Sequence, residues 1–251
     1  MTTIAAHGLE VSLGGTPVIA ALDLVVDPGT FTCIVGPNGA GKTTLMQCLA
    51  GELEPTAGST TIGGVIPTEV SVPERALIRA FLAQEERPDI PYRVIDVVRF
   101  GTHLSILDEE GQQAIVDNAM SSVEIDHLAQ RRVASLSGGE RRRVALARTF
   151  AQDADVLLLD EPTESFDLGH ADTVMRLAWQ TAQQGRTVIA TSHDLNLAAR
   201  HADRIVVLSG GSIAADGDPK EVLTPALLSE VYHCRVRVLP HPEHGRPVIF
   251  L

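Results

Sequence analysis

Two stretches of the chain carry residue types at spacings that could do chemistry. The first is Gly36-Pro37-Asn38-Gly39-Ala40-Gly41-Lys42-Thr43, which satisfies every fixed position of G-x-x-x-x-G-K-[ST]. Its glycines let backbone N–H groups turn inward around phosphate oxygens, and a helix starting behind them adds partial positive charge. Lys42 is placed to reach β- and γ-phosphates, the Thr43 hydroxyl to ligate Mg²⁺, and Thr44 continues the cradle into the helix. The second is VLLLDEPTESFD at 156–167, where four apolar residues run straight into Asp160 and Glu161. Mg²⁺ keeps several waters and takes few carboxylates, so Asp160 is the expected metal-side acid, on the ion or its water. Glu161 is then free to orient or deprotonate an attacking water, a role typically worth about 10²–10⁴ in rate. Alone, the two acids are equally a polar strand exit before Pro162; beside a phosphate cradle they suit Mg²⁺–nucleotide chemistry.

A third motif faces elsewhere. In LSGGE (136–140), Ser137 and Glu140 form a capping box that opens a helix carrying Val144, Ala147, Phe150 and Ala151. Gly138 and Gly139 bare the backbone at that helix start, which makes a second anion site. Read alone, the pentapeptide is also consistent with nothing more than a capped helix.

These residues need rigid elements behind them. Apolar β-prone runs recur at 31–35, 79–83, 156–159, 187–191 and 205–208, alternating with helix-like segments. That rhythm predicts an α/β fold with a largely parallel, buried sheet. The cradle lies between the run at 31–35 and the helix-forming TTLMQCLA, with Gly51 as the expected stop. The first thirty residues read as antiparallel strands around a Gly-Gly turn. Residues 94–135 hold no obvious strand, and Val116, Ala119, Met120 and Val123 make a helical stripe, so this part reads as a helical insertion; helices that simply cross over between strands are the alternative. Gly210-Gly211 suits a hairpin, Asp218-Pro219 and Thr224-Pro225 each open a short helix, and 235–251 ends in a β pair.

Composition narrows the class. At 251 residues the chain can bury a substantial core, and 44% of it is apolar. The net charge of −12 argues against a nucleic-acid binder, which needs a basic face. Three unclustered cysteines argue against a disulfide framework and for a reducing cytosol. MTTIAAHGLE has neither a basic start nor an apolar run, so no signal peptide is expected. No stretch approaches the roughly 20 apolar residues of a membrane span, so at a membrane another chain must supply the spanning part.

The cradle at 36–43, Gln84 at a strand end, LSGGE, VLLLDEP, Asp167 and TSHD at 191–194 occur in one order, and this set resembles the nucleotide-binding subunit of ABC transporters over nearly the whole chain. The resemblance implies one cassette, 1–251: a P-loop NTPase core (about 1–84 and 155–251) with a mainly parallel sheet, an N-terminal antiparallel β subdomain and a helical subdomain (about 85–154). It implies ATP and Mg²⁺ as ligands. Gln84 would sense Mg²⁺ or water and link the core to the helical insertion. Ser137 and Gly139, with Gly138 between them, would contact the γ-phosphate held by a second copy. Asp167 would lie at the dimer seam, and His193 would contact the γ-phosphate and the attacking water. Two copies would pair head to tail, each ATP lying between one cradle and the other's LSGGE.

Some positions depart from that pattern. Leu13 stands where an aromatic residue usually stacks on adenine. Glu164-Ser165-Phe166-Asp167 replaces the common Ser-Ala-Leu-Asp. Arg141 stands where glutamine is frequent, and Arg141–Arg143 read mostly as a solvated face or a seam contact. HDLNLAARHADRIVVLSGG (193–211), EVLTPALLSEVY (221–232) and the HPEHGRP ending are similar to ATPases of iron-uptake importers for haem, ferric siderophores and cobalamin, leaning to the haem branch. That implies a peripheral subunit on the cytoplasmic face of the cell membrane, docked to integral permease subunits and served indirectly by a substrate-binding protein. His241 and His244, in a turn without further ligands, are not expected to bind haem or metal. The rival class is a soluble ABC ATPase without a channel, such as an iron–sulfur assembly factor.

Overall fold

The computed structural model describes residues 2–84 and 91–251. The chain opens with β1 (Ile4–Leu13) and β2 (Thr16–Val26), paired antiparallel around Gly14 and Gly15, both at positive φ. β3 (Phe31–Val35) leads through the cradle into α1 (Lys42–Ala50), which stops at Gly51 in the left-handed region, φ 72°. β4 (Ala57–Ile62) then returns to pair with β1. The sequence reading omits this strand. AGSTTI opens on Ala-Gly-Ser and lacks the apolar run of the main-sheet strands; pairing with β1 supplies the order.

α2 (Val72–Ile78), capped by a Ser71–Glu74 box, precedes β5 (Arg79–Leu82). Next come α3 (Val94–Arg99), α4 (Glu109–Ser122) and α5 (Gly138–Ala151), which pack on one another. The stripe on and just after α4 is buried as expected: Val116, Ala119, Met120 and Val123 all face the core. Because β5 lies beside β6 (Val156–Leu159) in parallel, this segment is topologically the crossover between them and in packing a small bundle. The expected start of the helical unit, at residue 85, lies outside the described residues.

The remainder alternates: α6 (Leu168–Gln183), β7 (Thr187–Ser192), α7 (Leu195–His201), β8 (Arg204–Ser209) and β9 (Ser212–Gly217). Gly210 and Gly211 turn the β8–β9 hairpin at positive φ. α8 (Pro219–Val222) and α9 (Pro225–Val231) start on the Asp218 and Thr224 side-chain caps, with proline in the first turn of each. β10 (Arg237–Pro240) and β11 (Pro247–Phe250) close the chain as an antiparallel pair.

The main sheet has the order β5-β6-β7-β3-β8-β9, parallel except for β9. Its parallel strands are largely buried on both faces, which is why they read as apolar runs rather than alternating ones, whereas the antiparallel edge strand β9 stays open to solvent. Phe31, Cys33, Val35, Leu157 and Leu159 point into a core shared with α6, α7 and the helical segment. Ile34, Val156, Leu158 and Ile189 point into a second core with α1 and the β2-β1-β4 sheet. Register then sets the site. Val35 pairs with Ser192 and Leu159 with Ala190, so the segments leaving β3, β6 and β7 emerge side by side at the carboxyl edge of the sheet, where open α/β sheets bind ligands.

Candidate active site

The cradle leaves β3 through a backbone that admits no side chain. Gly36 has φ 154°, and a Cβ there would stand 2.1 Å from the Leu208 carbonyl oxygen. Gly41, at φ 100°, starts α1 without a side-chain cap, so the first N–H groups of the helix stay open toward the loop. Lys42 is buried, and its Nζ donates to the Gly36 and Pro37 carbonyls at 2.8 and 3.2 Å. Burial lowers its pKa, against the opposing pull of Glu161 and Asp160. Residues 38–44 line a 240 Å³ cavity that Glu161, His193, Gln84 and Val18 complete. The structure thus brings Asn38, Gly39, Ala40, Gly41, Lys42, Thr43 and Thr44 together with three residues from distant strand ends.

The two acids leave β6 in different states. Asp160 is fully buried; its Oδ1 accepts from the Thr191 hydroxyl at 2.7 Å, and its Oδ2 has no hydrogen-bond partner. Glu161 turns away with φ 50°, a left-handed conformation that its surroundings must hold. Its N–H donates to the same Thr191 hydroxyl at 2.8 Å. Its carboxylate meets His193 Nε2 directly. Burial raises the Glu161 pKa, partly offset by His193 and Lys42, so the group is more basic than an ordinary carboxylate.

The donors at this edge fit Mg²⁺. Thr43 Oγ1 donates to Gln84 Oε1 at 3.5 Å, and the orphaned Asp160 Oδ2 is a buried carboxylate oxygen in need of a partner. These are hard oxygen donors, few in number, which suits an ion that keeps much of its water and phosphate shell.

The other expected site residues lie apart from the cradle. Ser137 caps α5, accepting from the Glu140 N–H at 3.3 Å, with Gly138 exposed and Gly139 half-buried beside it. None of the three lines the cradle cavity or the 570 Å³ cavity next to it. That larger cavity is bordered by Glu161, His193 and the loop residues Thr163, Glu164 and Phe166. Asp167 caps α6, accepting from the His170 N–H at 2.9 Å. Leu13 sits at the β1–β2 hairpin tip, 45% exposed, and borders neither cavity; the wall there is Val18.

One reading is corrected. Arg142 is not on a solvated face: it is buried, and its guanidinium donates to the carbonyls of Ala83 and Asp160 at 2.7 and 2.6 Å. It also reaches those of Gln84 and Glu161, at 3.2 and 3.0 Å. A run of three arginines gives no hint of which one turns inward. Thr191, quoted in the sequence only as part of TSHD, has a role no motif gives it: its hydroxyl ties the two acids together. His241 and His244 stack with ring planes 7° apart and 3.9 Å between centroids. In-plane lone pairs on parallel rings do not converge on one ion.

Comparison with known proteins agrees with this geometry. The family model described as ABC transporter matches residues 19–164, more than half of the chain. The hemin import ATP-binding protein HmuV of Streptomyces coelicolor is 46% identical over 245 residues, covering 96% of this chain and 87% of that protein. Among solved structures, a metal-chelate type ABC transporter in an inward-facing conformation superposes with a TM-score of 0.81 at 24% identity, covering 100% of this chain and 98% of that one. CbiO1 of Clostridium perfringens, part of the ABC transporter complex cbiONQ, does so at 0.75 with 28% identity, covering 87% and 89%. With its phosphate cradle, paired acids and glycine-flanked serine in the expected order, the chain belongs to the ABC transporter family, as one of its ATP-binding subunits.

Proposed function

We propose that this chain is the ATP-hydrolysing subunit of an importer for haem or another iron chelate, working on the cytoplasmic face of a membrane against separate permease subunits. Among the described residues no helix is long and apolar enough to cross a membrane, so in this reading the channel belongs to a partner chain. The haem assignment draws on the name of the Streptomyces relative and on that relative's near-full-length identity. The hydrolytic assignment rests on one observation: Glu161, buried and raised in pKa, meets His193 on the wall of the cradle cavity.

The residues divide the work. Lys42 exchanges its loop carbonyls for the β- and γ-phosphate oxygens of ATP. The open N–H groups of the cradle and of α1 take the remaining phosphate oxygens. Thr43, Gln84 and Asp160 would hold Mg²⁺, which would supply neutralisation of phosphate charge. Glu161 accepts the proton of the attacking water, and His193 orients that water and the γ-phosphate. Ser137, Gly138 and Gly139 close the pocket from a second copy, head to tail, with Asp167 at the seam. Leu13 faces adenine as an apolar surface. The helical unit, about 85–154, turns against the core (about 1–84 and 155–251) as the pair closes.

Glu161→Gln tests the hydrolytic half. It should bind ATP, lose about 10²–10⁴ in turnover and accumulate as a closed dimer in light scattering. Unchanged turnover would remove Glu161 from its role. Transport assays with haem, ferric siderophore and cobalamin, run with the co-purified permease, test the cargo; uptake of none of the three would sink the importer reading.

A further inference from the structure

The loop between β6 and α6, residues 160–167, borders the larger cavity and carries strain at two places. Glu161 and Ser165 are both left-handed, at φ 50° and 67°. Such residues persist only where neighbours over-determine them. The neighbour here is α5, the helix that LSGGE opens. An added Cβ on Gly139 would stand 3.7 Å from the Ser165 carbonyl oxygen, so the pentapeptide and the loop are close neighbours.

Two consecutive arginines of α5 hold the two ends of this loop. Arg142 grips the first end directly, through the Asp160 and Glu161 carbonyls. Arg143 reaches the last end through His170, in the first turn of α6. The His170 N–H and Nδ1 both meet Asp167 Oδ1, at 2.9 and 2.8 Å. A main-chain N–H alone suffices to cap a helix, so the ring contact is additional. With Nδ1–H donating to the carboxylate, the neutral ring presents a bare lone pair at Nε2. Arg143 Nη1 stands 3.2 Å from that Nε2 and donates to it. The same nitrogen also donates to the Glu124 carbonyl at 3.4 Å, in the turn after α4, and the Glu124 carboxylate lies 3.8 Å from Nε2. A continuous chain of contacts, Asp167–His170–Arg143–Glu124, thus ties the seam loop to the helical segment of the same subunit.

We infer that His170 is a positioning residue that couples the 160–167 loop to the LSGGE helix. The inference rests on the paired, head-to-tail reading above. In that arrangement the pentapeptide closes on the partner's nucleotide, while the loop starts at the subunit's own Glu161. A link between them passes the turn of the helical unit, which closes one pocket, on to the catalytic carboxylate of the other. His170 supplies the part of that link Arg142 does not reach.

Three variants separate this role from helix capping. His170→Ala removes both ring contacts. His170→Asn keeps an amide donor near the Nδ1 position for Asp167 but is too short to meet Arg143. Arg143→Gln breaks the link from the other side. Each should bind ATP to the dilute subunit as the unaltered chain does, because the cradle is untouched. Each should lose about tenfold in kcat with KM little changed, the size expected for one charge-assisted hydrogen bond. The double variant His170→Ala/Arg143→Gln should fall no further than the worse single, since both break one link. Full kcat in His170→Asn would reduce His170 to a cap and overturn the inference, as would additive losses. If His170→Ala fails to fold, the Asn and Gln variants carry the test. An ATP-locked Glu161→Gln dimer is the control for the parent reading: its absence sinks the paired arrangement, whereas its presence with an unaffected His170→Asn sinks only the link.

Discussion

Arg142 offers the sharpest test of how this site is held together. Its guanidinium donates to the carbonyls of Ala83, Gln84, Asp160 and Glu161, which joins the ends of β5 and β6 to α5. Replacing it with Met keeps the stem and removes every donor. The bonds to Asp160 and Glu161 are buried, so their carbonyls would lose partners where water has poor access, at roughly 1–3 kcal/mol each. The carbonyls of Ala83 and Gln84 are partly buried and can recover water, which makes their loss smaller. Relief of the charge's own burial and of its ordered rotamer offsets about 2 kcal/mol. The net expectation for Arg142→Met is a destabilisation of about 3 kcal/mol, or roughly 10 °C in Tm for a chain of this size. Arg142→Lys keeps a charge but not the fork, cannot serve both strand ends, and should lose about half as much. Urea unfolding followed by circular dichroism measures this as a lower midpoint at unchanged slope. If Arg142→Met unfolds within about 0.5 kcal/mol of the unaltered protein, the carbonyls have other partners and the clamp is not a determinant of the fold.

Three further outcomes follow from single features. Gly36→Ala would put a Cβ 2.1 Å from the Leu208 carbonyl oxygen, so it should abolish ATP binding by shifting the cradle; calorimetry showing unaltered affinity would contradict the geometry. Leu13→Tyr should tighten ATP binding by up to about tenfold, because stacking on adenine is worth roughly 1–3 kcal/mol and leucine keeps only part of it; no gain counts against Leu13 as the adenine-facing residue. Burial raises the Glu161 pKa above its ordinary 4.5, so the folded protein holds that proton more tightly than the unfolded chain does. Its favourable contribution is therefore complete below pH 4.5 and is lost as pH rises through the folded value. Glu161→Gln should accordingly gain Tm relative to the unaltered protein at neutral pH and lose that advantage in acid; a difference independent of pH would refute the assignment.

The sequence displays the groups that face the ligand and hides the ones that face the fold. Gly36, Lys42, Asp160 and Glu161 are legible because phosphate and water chemistry demands fixed residue types at fixed spacing, His193 is legible only through the family resemblance, and the parallel strands are legible because burial on both faces leaves unbroken apolar runs. β4 is not, since AGSTTI becomes a strand only by pairing with β1. Arg142 and Thr191 are not, because each acts across the chain: Thr191 joins the two acids 31 and 30 residues away, and Arg142 joins two strand ends 18 and 59 residues away. Such residues carry no local spacing rule, only a destination. They are also what makes the motif work. Asp160 and Glu161 are adjacent in sequence yet differ in state, one fully buried with a free oxygen, the other left-handed and paired with His193. Nothing in the dipeptide Asp-Glu sets that difference. The Thr191 hydroxyl does: it donates to the Asp160 carboxylate and accepts from the Glu161 N–H, fixing the two carboxylates in their separate directions. The strand that delivers this hydroxyl runs directly into His193, so β7 and the residue after it supply both the tie that aims the base and its partner.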